Sequence, residues 1–383
     1  TVVAVGENAF KDQTPKFNLG ILNLGSNIAS IAEGAFQNAK IGTTSTSYQM
    51  NTVVIGSATI DWHPKAFIGN HIRAFNISSD SRYMTLAETM AISPANAHRG
   101  IIFSKDGTVL YVFPGDQCKS TDRDYTYTPG VLYTLPASVT TIADYAFSGN
   151  SKLTSVNFSS CQVATIGEEA FSHSVLTSFT VPATVTTLGP GFIAGNKKIS
   201  SIGVASGNTA YKSVDGMVYT IDDATLVAVP AKTTELTIPE GVTAIAAKAD
   251  LDGSLTEVTI PSTVASIGVD AFVGNPNITS VYCNAVNPPS RGMFDDAVYA
   301  NATLNIPEGS EAAYKAAPGW KKFFGEEEGI EGDVNGDGLV DVVDVNTVVT
   351  MLLDGVYEAK ADLNKDNLVD VVDINAIISI ILK

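Results

Sequence analysis

A fifteen-residue pattern recurs along the first 324 residues, and it constrains the fold more than any other feature of the chain. Leu22-Asn-Leu-Gly-Ser-Asn-Ile-Ala-Ser-Ile31-Ala-Glu-Gly-Ala-Phe36 aligns without gaps with Tyr133-Thr-Leu-Pro-Ala-Ser-Val-Thr-Thr-Ile142-Ala-Asp-Tyr-Ala-Phe147. It aligns equally with Val258-Thr-Ile-Pro-Ser-Thr-Val-Ala-Ser-Ile267-Gly-Val-Asp-Ala-Phe272. The stretches ending at Phe171 and Phe192 match with a one-residue slip. Leu236 to Ile245 matches too, but Asp250 stands in its phenylalanine slot, with Leu251 just after. Adjacent copies are spaced by 21 to 24 residues. Within one copy, alternating residues such as Val258 and Ile260 suit a short strand, which Pro261 ends because it has no N–H for a ladder. Val264, Ile267 and Phe272 then turn inward. One such unit cannot bury its own apolar side, so the units must stack into a solenoid.

Two interruptions resemble each other. Gly100 to Pro114 aligns with Gly216 to Pro230, each being two alternating runs around an Asp-Gly or Asp-Asp turn. Each is expected to be a β-hairpin. The array therefore reads as two super-repeats, with residues 78–99 as the least regular insertion. At its end, Ser310 is placed to cap a short helix through Ala316, and Trp320 and Phe323 to cover the last open coil, since an uncapped solenoid exposes its core.

The pattern hydrophobic-x-Ile-Pro-x-x-Val-x-x-Ile-x-x-x-Ala-Phe resembles the BspA-like leucine-rich repeats of bacterial surface proteins. That resemblance covers most of residues 1–324 and implies a β-rich leucine-rich-repeat solenoid, α/β horseshoe-like and interrupted by β-hairpins, with a C-terminal cap at 304–324.

The last fifty residues carry a second, unrelated signal. A twelve-residue acidic loop, Asp333-Val-Asn335-Gly-Asp337-Gly338-Leu339-Val-Asp341-Val-Val-Asp344, returns 29 residues later as Asp362-Leu-Asn364-Lys-Asp366-Asn367-Leu368-Val-Asp370-Val-Val-Asp373. Side-chain oxygens fall at loop positions 1, 3, 5, 9 and 12, and Leu339 and Leu368 at position 7 offer backbone carbonyls. Calcium is a hard cation that takes six to eight oxygens, and this spacing lets one loop wrap it. Gly338 sits at position 6, where the chain must turn with positive φ, and Asn367 is the next most tolerant residue there. Apolar periodic stretches, Val345 to Leu353 and Ile374 to Leu382, follow the loops and are expected to be helices. Loop plus exiting helix, duplicated, with Asp rather than Glu at position 12, resembles a dockerin. The resemblance implies a small all-α module at 333–383 holding two calcium ions, a linker at 325–332, and a cohesin-like partner. It also implies partner contacts at loop positions 10 and 11, here Val342, Val343, Val371 and Val372. From the residues alone, one valine of each pair could equally fill the module's own core.

Charge agrees with this division. The net charge is −17, and from Glu326 onward there are 14 acidic and 3 basic residues. The acidity is concentrated in the metal loops, and a nucleic-acid partner is excluded for want of basic patches. Three cysteines (Cys118, Cys161, Cys283) do not make a disulfide framework and read as small buried residues, although one pair remains open. No apolar run is long enough to span a membrane. The chain opens on Thr-Val-Val without a signal peptide, as a mature or trimmed secreted chain would.

Catalytic signals are sparse. The four histidines (His63, His71, His98, His173) share no metal-ligand spacing, and no nucleophile elbow, phosphate loop or dinucleotide fingerprint occurs. A glycosidase needs two carboxylates facing one cleft. Glu168, Glu169, Asp144 and Asp270 instead fall in polar slots of the repeat. The chain is therefore expected to be a non-catalytic secreted or bacterial cell-surface binding protein, with a protein or glycan ligand on the solenoid. The alternatives are a glycoside hydrolase within a polysaccharide-degrading complex, since dockerins ride on such enzymes, or a purely structural spacer.

Overall fold

The computed structural model describes residues 3–12, 21–37, 39, 52–56, 61–67, 74–77, 84–86, 101–113, 131–150, 153–290, 294–325, 331–335, 339–358, 360–364, 366 and 368–382. They fall into two compact units, Thr1–Ala317 and Pro318–Lys383.

In the first unit, each repeat supplies one strand to each of two rows. The first row holds the strand that precedes the Pro slot. Its parallel ladders join Ile21–Asn23, Thr52–Ile55 and Ala74–Ile77; Val131–Thr134 and Leu153–Asn157; Phe179–Val181 and Ile202–Val204; and Glu235–Thr237, Glu257–Ile260, Ser280–Cys283 and Thr303–Asn305. The second row is made of two-residue strands centred on the Thr-Ile or Ser-Ile pair, such as Thr141–Ile142, Thr165–Ile166 and Thr187–Leu188. Alternation sends Val258 and Ile260 fully inward.

The Ala-Phe turn closes each coil. The residue before it often adopts positive φ: Tyr145 at 58°, Glu169 at 45°, Lys248 at 56° and Asp270 at 56°. Such a backbone costs an L-residue roughly 1–2 kcal/mol. It is offset because these N–H groups reach the next coil, Tyr145 to the Glu168 carbonyl at 2.8 Å and Glu169 to the Pro190 carbonyl at 3.0 Å. The phenylalanines then stack at the pitch of the solenoid. Phe113, Phe147 and Phe171 follow one another at 4.9 and 4.8 Å, and Phe10, Phe36 and Phe67 at 5.1 Å each. The horseshoe expectation of helices on this side is corrected: turns a few residues long, and a single 3-10 turn at Pro64–Phe67, stand there among the described residues. The residues between Ile142 and Phe147 are too few for a helix to nucleate. Because Phe171 is fully buried between neighbours, Phe171→Ala should destabilise the solenoid by about 3–5 kcal/mol, read as a lower urea midpoint.

Both hairpins form and enter the second row. Ile102–Ser104 pairs antiparallel with Val109–Val112, which pairs parallel with Thr141–Ile142. Met217–Thr220, Thr225–Ala228 and Ala244–Ile245 repeat that arrangement. The turns match in detail. Asp106 accepts from Ser104 Oγ at 2.6 Å and Thr108 N at 3.1 Å, and Asp222 from Thr220 Oγ1 at 2.6 Å and Ala224 N at 3.1 Å. Each hairpin gains a third strand that its alignment did not include, Met84–Leu86 and Tyr211–Val214. Within 78–99, only Met84–Leu86 is among the described residues.

Near the end of this unit lie α1 (Asp296–Asn301) and α2 (Glu311–Ala316). The second has the expected bounds but not the expected cap. Ser310 is already helical at φ −89°, and its hydroxyl donates to the Pro307 carbonyl at 2.6 Å. Buried Tyr314 donates to the Ala285 carbonyl at 2.8 Å and ties α2 down. Trp320 and Phe323, expected to cover the last coil, belong to the second unit, where their rings lie 6.2 Å apart.

The second unit contains a 3-10 helix at Trp320–Phe324, α3 (Val342–Asp354) and α4 (Val371–Ile381). Around the two helices, Val334, Val348, Ala361 and Ile377 form a fully buried apolar cluster, flanked by Val340, Val345, Leu363 and Ile374. Most of the expected linker, 326–330, lies outside the described residues. Both helices begin three residues earlier than the apolar period suggests, inside the acidic loops. Asp341 and Asp370 are their N-caps, each with a full capping box to Asp344 or Asp373.

Candidate functional site

The two acidic loops of the second unit are near copies in geometry as well as in sequence. The N-cap residues have φ and ψ of −143° and −167° at Asp341, and −143° and −166° at Asp370. At position 12, Asp344 is fully buried and accepts the N–H groups of Val334, Asn335 and Asp341 at 2.8, 3.0 and 2.9 Å. Asp373 accepts those of Leu363, Asn364 and Asp370 at 2.8, 3.2 and 3.0 Å. Each carboxylate pins the start of its loop to the start of its helix.

The second loop is described further. The Asp366 N–H lies 3.1 Å from both Asp362 Oδ1 and Asn364 Oδ1, so oxygens of positions 1 and 3 converge on one backbone point. Asn364 Nδ2 donates to Asp366 Oδ2 at 2.8 Å, which adds position 5 to the cluster. In the first loop, Asp333 and Asn335 are half-buried, while Gly336, Asp337 and Gly338 lie outside the described residues, as does Asn367 in the second. Leu339 and Leu368, at position 7, are exposed. Among the described residues no three His, Cys, Asp or Glu side chains meet as a finished metal cluster. The donors on hand are carboxylates, carboxamides and carbonyls, the set a hard cation takes.

Positions 10 and 11 resolve an alternative the sequence left open. Val342, Val343, Val371 and Val372 are 64, 47, 59 and 49 % exposed, so none of the four fills the core. Leu339 and Leu368 beside them are exposed too, and each copy presents the same apolar row at the start of its helix.

The carboxylates weighed for hydrolysis have other engagements. Glu168 and Glu169 both bind Lys248, at 2.6 and 2.5 Å, and Glu168 also accepts from the Tyr145 hydroxyl at 2.8 Å. Burial pulls the Glu168 carboxyl upward, but the Lys248 and Tyr145 hydrogen bonds outweigh it and hold the group below its ordinary range. A general acid needs the opposite shift. Asp144 accepts the Glu168 N–H at 2.7 Å, and Asp270 is a positive-φ turn residue. This cluster ties coils together, and sequence reasoning missed it because Glu168 and Lys248 are 80 residues apart. His63 lies 3.7 Å from Glu33 and His173 lies 3.2 Å from Asp252, while His71 and His98 are outside the described residues. Cys161 and Cys283 are buried and free, and Cys118 is outside the described residues.

Comparison with known proteins bears on the solenoid. Residues 130–214 and 223–309 match the BspA type leucine rich repeat region, in six copies. No curated protein matches the chain. Among solved structures, a leucine rich cell surface protein from Faecalibacterium prausnitzii is similar at 17 % identity and a TM-score of 0.42, over 79 % of this chain and 91 % of that one. The pneumococcal vaccine antigen PcpA is similar at 16 % identity and 0.39, over 76 % and 75 %. A leucine-rich repeat protein from Bacteroides ovatus is similar at 14 % identity and 0.27, over 80 % and 88 %. The ladders and stacked phenylalanines continue through the six copies that match the BspA type leucine rich repeat region at residues 130–214 and 223–309.

Proposed function

We propose that this chain is a non-catalytic, secreted or cell-surface binding protein with two working parts. The solenoid presents an extended surface to a protein or glycan ligand. The C-terminal module is a calcium-dependent dockerin that plugs the chain into a cohesin-like partner, with residues 325–332 as the linker. The observation that carries the second part is the matched pair of loops with their exposed valine rows. Calcium would neutralise the crowded carboxylates and lock each loop. Asp333, Asn335, Asp337, Asp341, Asp344 and the Leu339 carbonyl would hold one ion. Asp362, Asn364, Asp366, Asp370, Asp373 and the Leu368 carbonyl would hold the other. Millimolar calcium outside cells suits such loops, and among the described residues no helix is long and apolar enough to cross a membrane.

Two like copies imply two ways of docking. Changing Val342 and Val343 to Asp should leave capture of a partner from the native organism's surface fraction largely intact, and so should changing Val371 and Val372. Changing all four should abolish it, with calcium content unchanged. Loss of all capture in one folded two-residue variant would rule out dual orientation, and capture unaffected by the four-residue variant or by chelator would rule out the docking role.

A further inference from the structure

The first row of strands is broken where its longest member meets its neighbour. Leu153–Asn157 and Phe179–Val181 belong to separate sheets. The Thr177 N–H, two residues before the second strand, reaches the Thr154 carbonyl of the first at 3.2 Å, and the strands then part. The cause is local. The copy ending at Phe171 is 24 residues long and the next is 21, and Asn157-Phe158-Ser159-Ser160 stands where others have Leu-Pro. Phe158 packs edge-on against both Phe171 and Phe179, at 6.4 and 5.9 Å, while those two rings touch each other at 5.0 Å.

Where the strands part lies a groove of about 400 Å³, within the roughly 300–1,000 Å³ typical of small-molecule sites. Phe158, Phe179 and Val156 give it an apolar floor, while Ser155, Asn157, Ser178 and Thr180 supply its polar atoms. No charged side chain lines it. Some hydroxyls elsewhere in the solenoid are spent on the neighbouring coil: Thr184 Oγ1 donates to the Val163 carbonyl at 2.6 Å, and Ser213 Oγ to the Ile202 carbonyl at 2.6 Å. The Ser155, Ser178 and Thr180 hydroxyls have no hydrogen-bond partner among the described residues. Asn157 accepts the Ser159 N–H at 2.9 Å through Oδ1 and keeps its amide donors. Gly203, opposite Thr180 in the next coil, leaves that hydroxyl room, since a Cβ there would lie 3.0 Å from it.

We infer that this groove is a binding site for a neutral saccharide segment. Uncommitted hydroxyls and an amide match the hydroxyls of a sugar, and the apolar floor matches the C–H face of its ring. An apolar ligand would leave those polar groups desolvated and unpaired. An anionic or cationic ligand would find no counter-charge. The site deepens the proposed binding role of the solenoid and rests on it.

Saturation-transfer NMR and calorimetry on the full chain test this, with neutral cello-, manno-, malto- and xylo-oligosaccharides against galacturonan and sulfated oligosaccharides. At least one neutral series should bind saturably. Ser178→Arg and Thr180→Arg should each weaken it tenfold or more with an unchanged circular dichroism spectrum. Thr237→Arg, at the same place in a closed ladder, should not. Neutral binding that survives both groove variants overturns the site but leaves the solenoid a glycan receptor. Binding of anionic sugars alone, or of none at millimolar concentration, overturns the saccharide assignment. In that last case, retained adhesion to a protein ligand would keep the wider reading.

Discussion

Chelation of the full chain with EDTA is expected to melt α3 and α4 while the solenoid keeps its β-sheet signal. Among the described residues of the C-terminal module, the apolar core is four fully buried side chains, Val334, Val348, Ala361 and Ile377, and so small a core commonly needs a metal or another staple. Residues 331–383 also hold 11 acidic and 3 basic side chains, which repel one another once a cation is gone. A site filled at a thousand times its dissociation constant stabilises by about 4 kcal/mol, so losing two would exceed what a module of this size can spare. Hydrogen exchange resolves the outcome by region. Amides of Val342–Asp354 and Val371–Ile381 should lose protection, and those around Phe147 and Phe171 should keep it. Asp333→Ala should weaken the first site chiefly. Asp344→Ala should do more, because Asp344 also receives three backbone N–H groups and closes the capping box. Unchanged exchange in both helices after complete chelation would remove calcium from the account.

The repeats were legible because their period is short and their alternation strict. Phe147, Phe171 and Phe192 recur at 24 and 21 residues, and stacking is the one way such units bury a common face. The hairpins were legible through Asp106-Gly107 and Asp222-Asp223. What depended on neighbouring coils was not. The Lys248 link to Glu168 and Glu169 exists because distant turns stand side by side, and nothing local encodes it. The sheet break was hidden for the same reason: the length difference was visible, but not that two neighbouring strands would part there. In the module, the helix starts were misjudged because the apolar period begins at Val345 and Ile374. The helices are started by a capping box between Asp341 and Asp344 and between Asp370 and Asp373. Those aspartates, weighed as metal donors, also nucleate helix.

Asp250 should make the solenoid less stable as pH rises through neutrality. It occupies the slot that holds phenylalanine in other coils and is 2 % exposed. Its carboxylate lies over Gly253, where an added Cβ would stand 2.3 and 2.4 Å from the two oxygens. In other coils that place holds the side chain of Asn150, Asn196 or Asn275, so an Asp and a Gly have together replaced a Phe and an Asn. Neither oxygen has a hydrogen-bond donor among the described residues. Burial pushes the group from 3.8 up to about 7, against the pull of the Asn275 amide and the Lys197 ammonium and with a push from Asp252. The Asn275 pull is weak help, since that amide is bonded to the backbone carbonyls of Asp250 and Phe272. Asp252 in turn faces His173 at 3.2 Å. The folded chain therefore binds a proton that the unfolded chain releases near pH 4. Stability is greatest below that value and is lost as pH rises through about 7. The interval between the two corresponds to about 4 kcal/mol, roughly 3 of it above pH 5. Glu168, held below its ordinary range, contributes in the opposite sense but at lower pH, and between pH 5 and 8 it is the difference between the natural chain and Asp250→Asn that isolates Asp250. Urea midpoints across that window should fall for the natural chain and stay nearly level for Asp250→Asn, which keeps the shape and removes the titration. A level profile in the natural chain, or an equal slope in the variant, would show that the buried carboxylate finds compensation that its surroundings do not reveal.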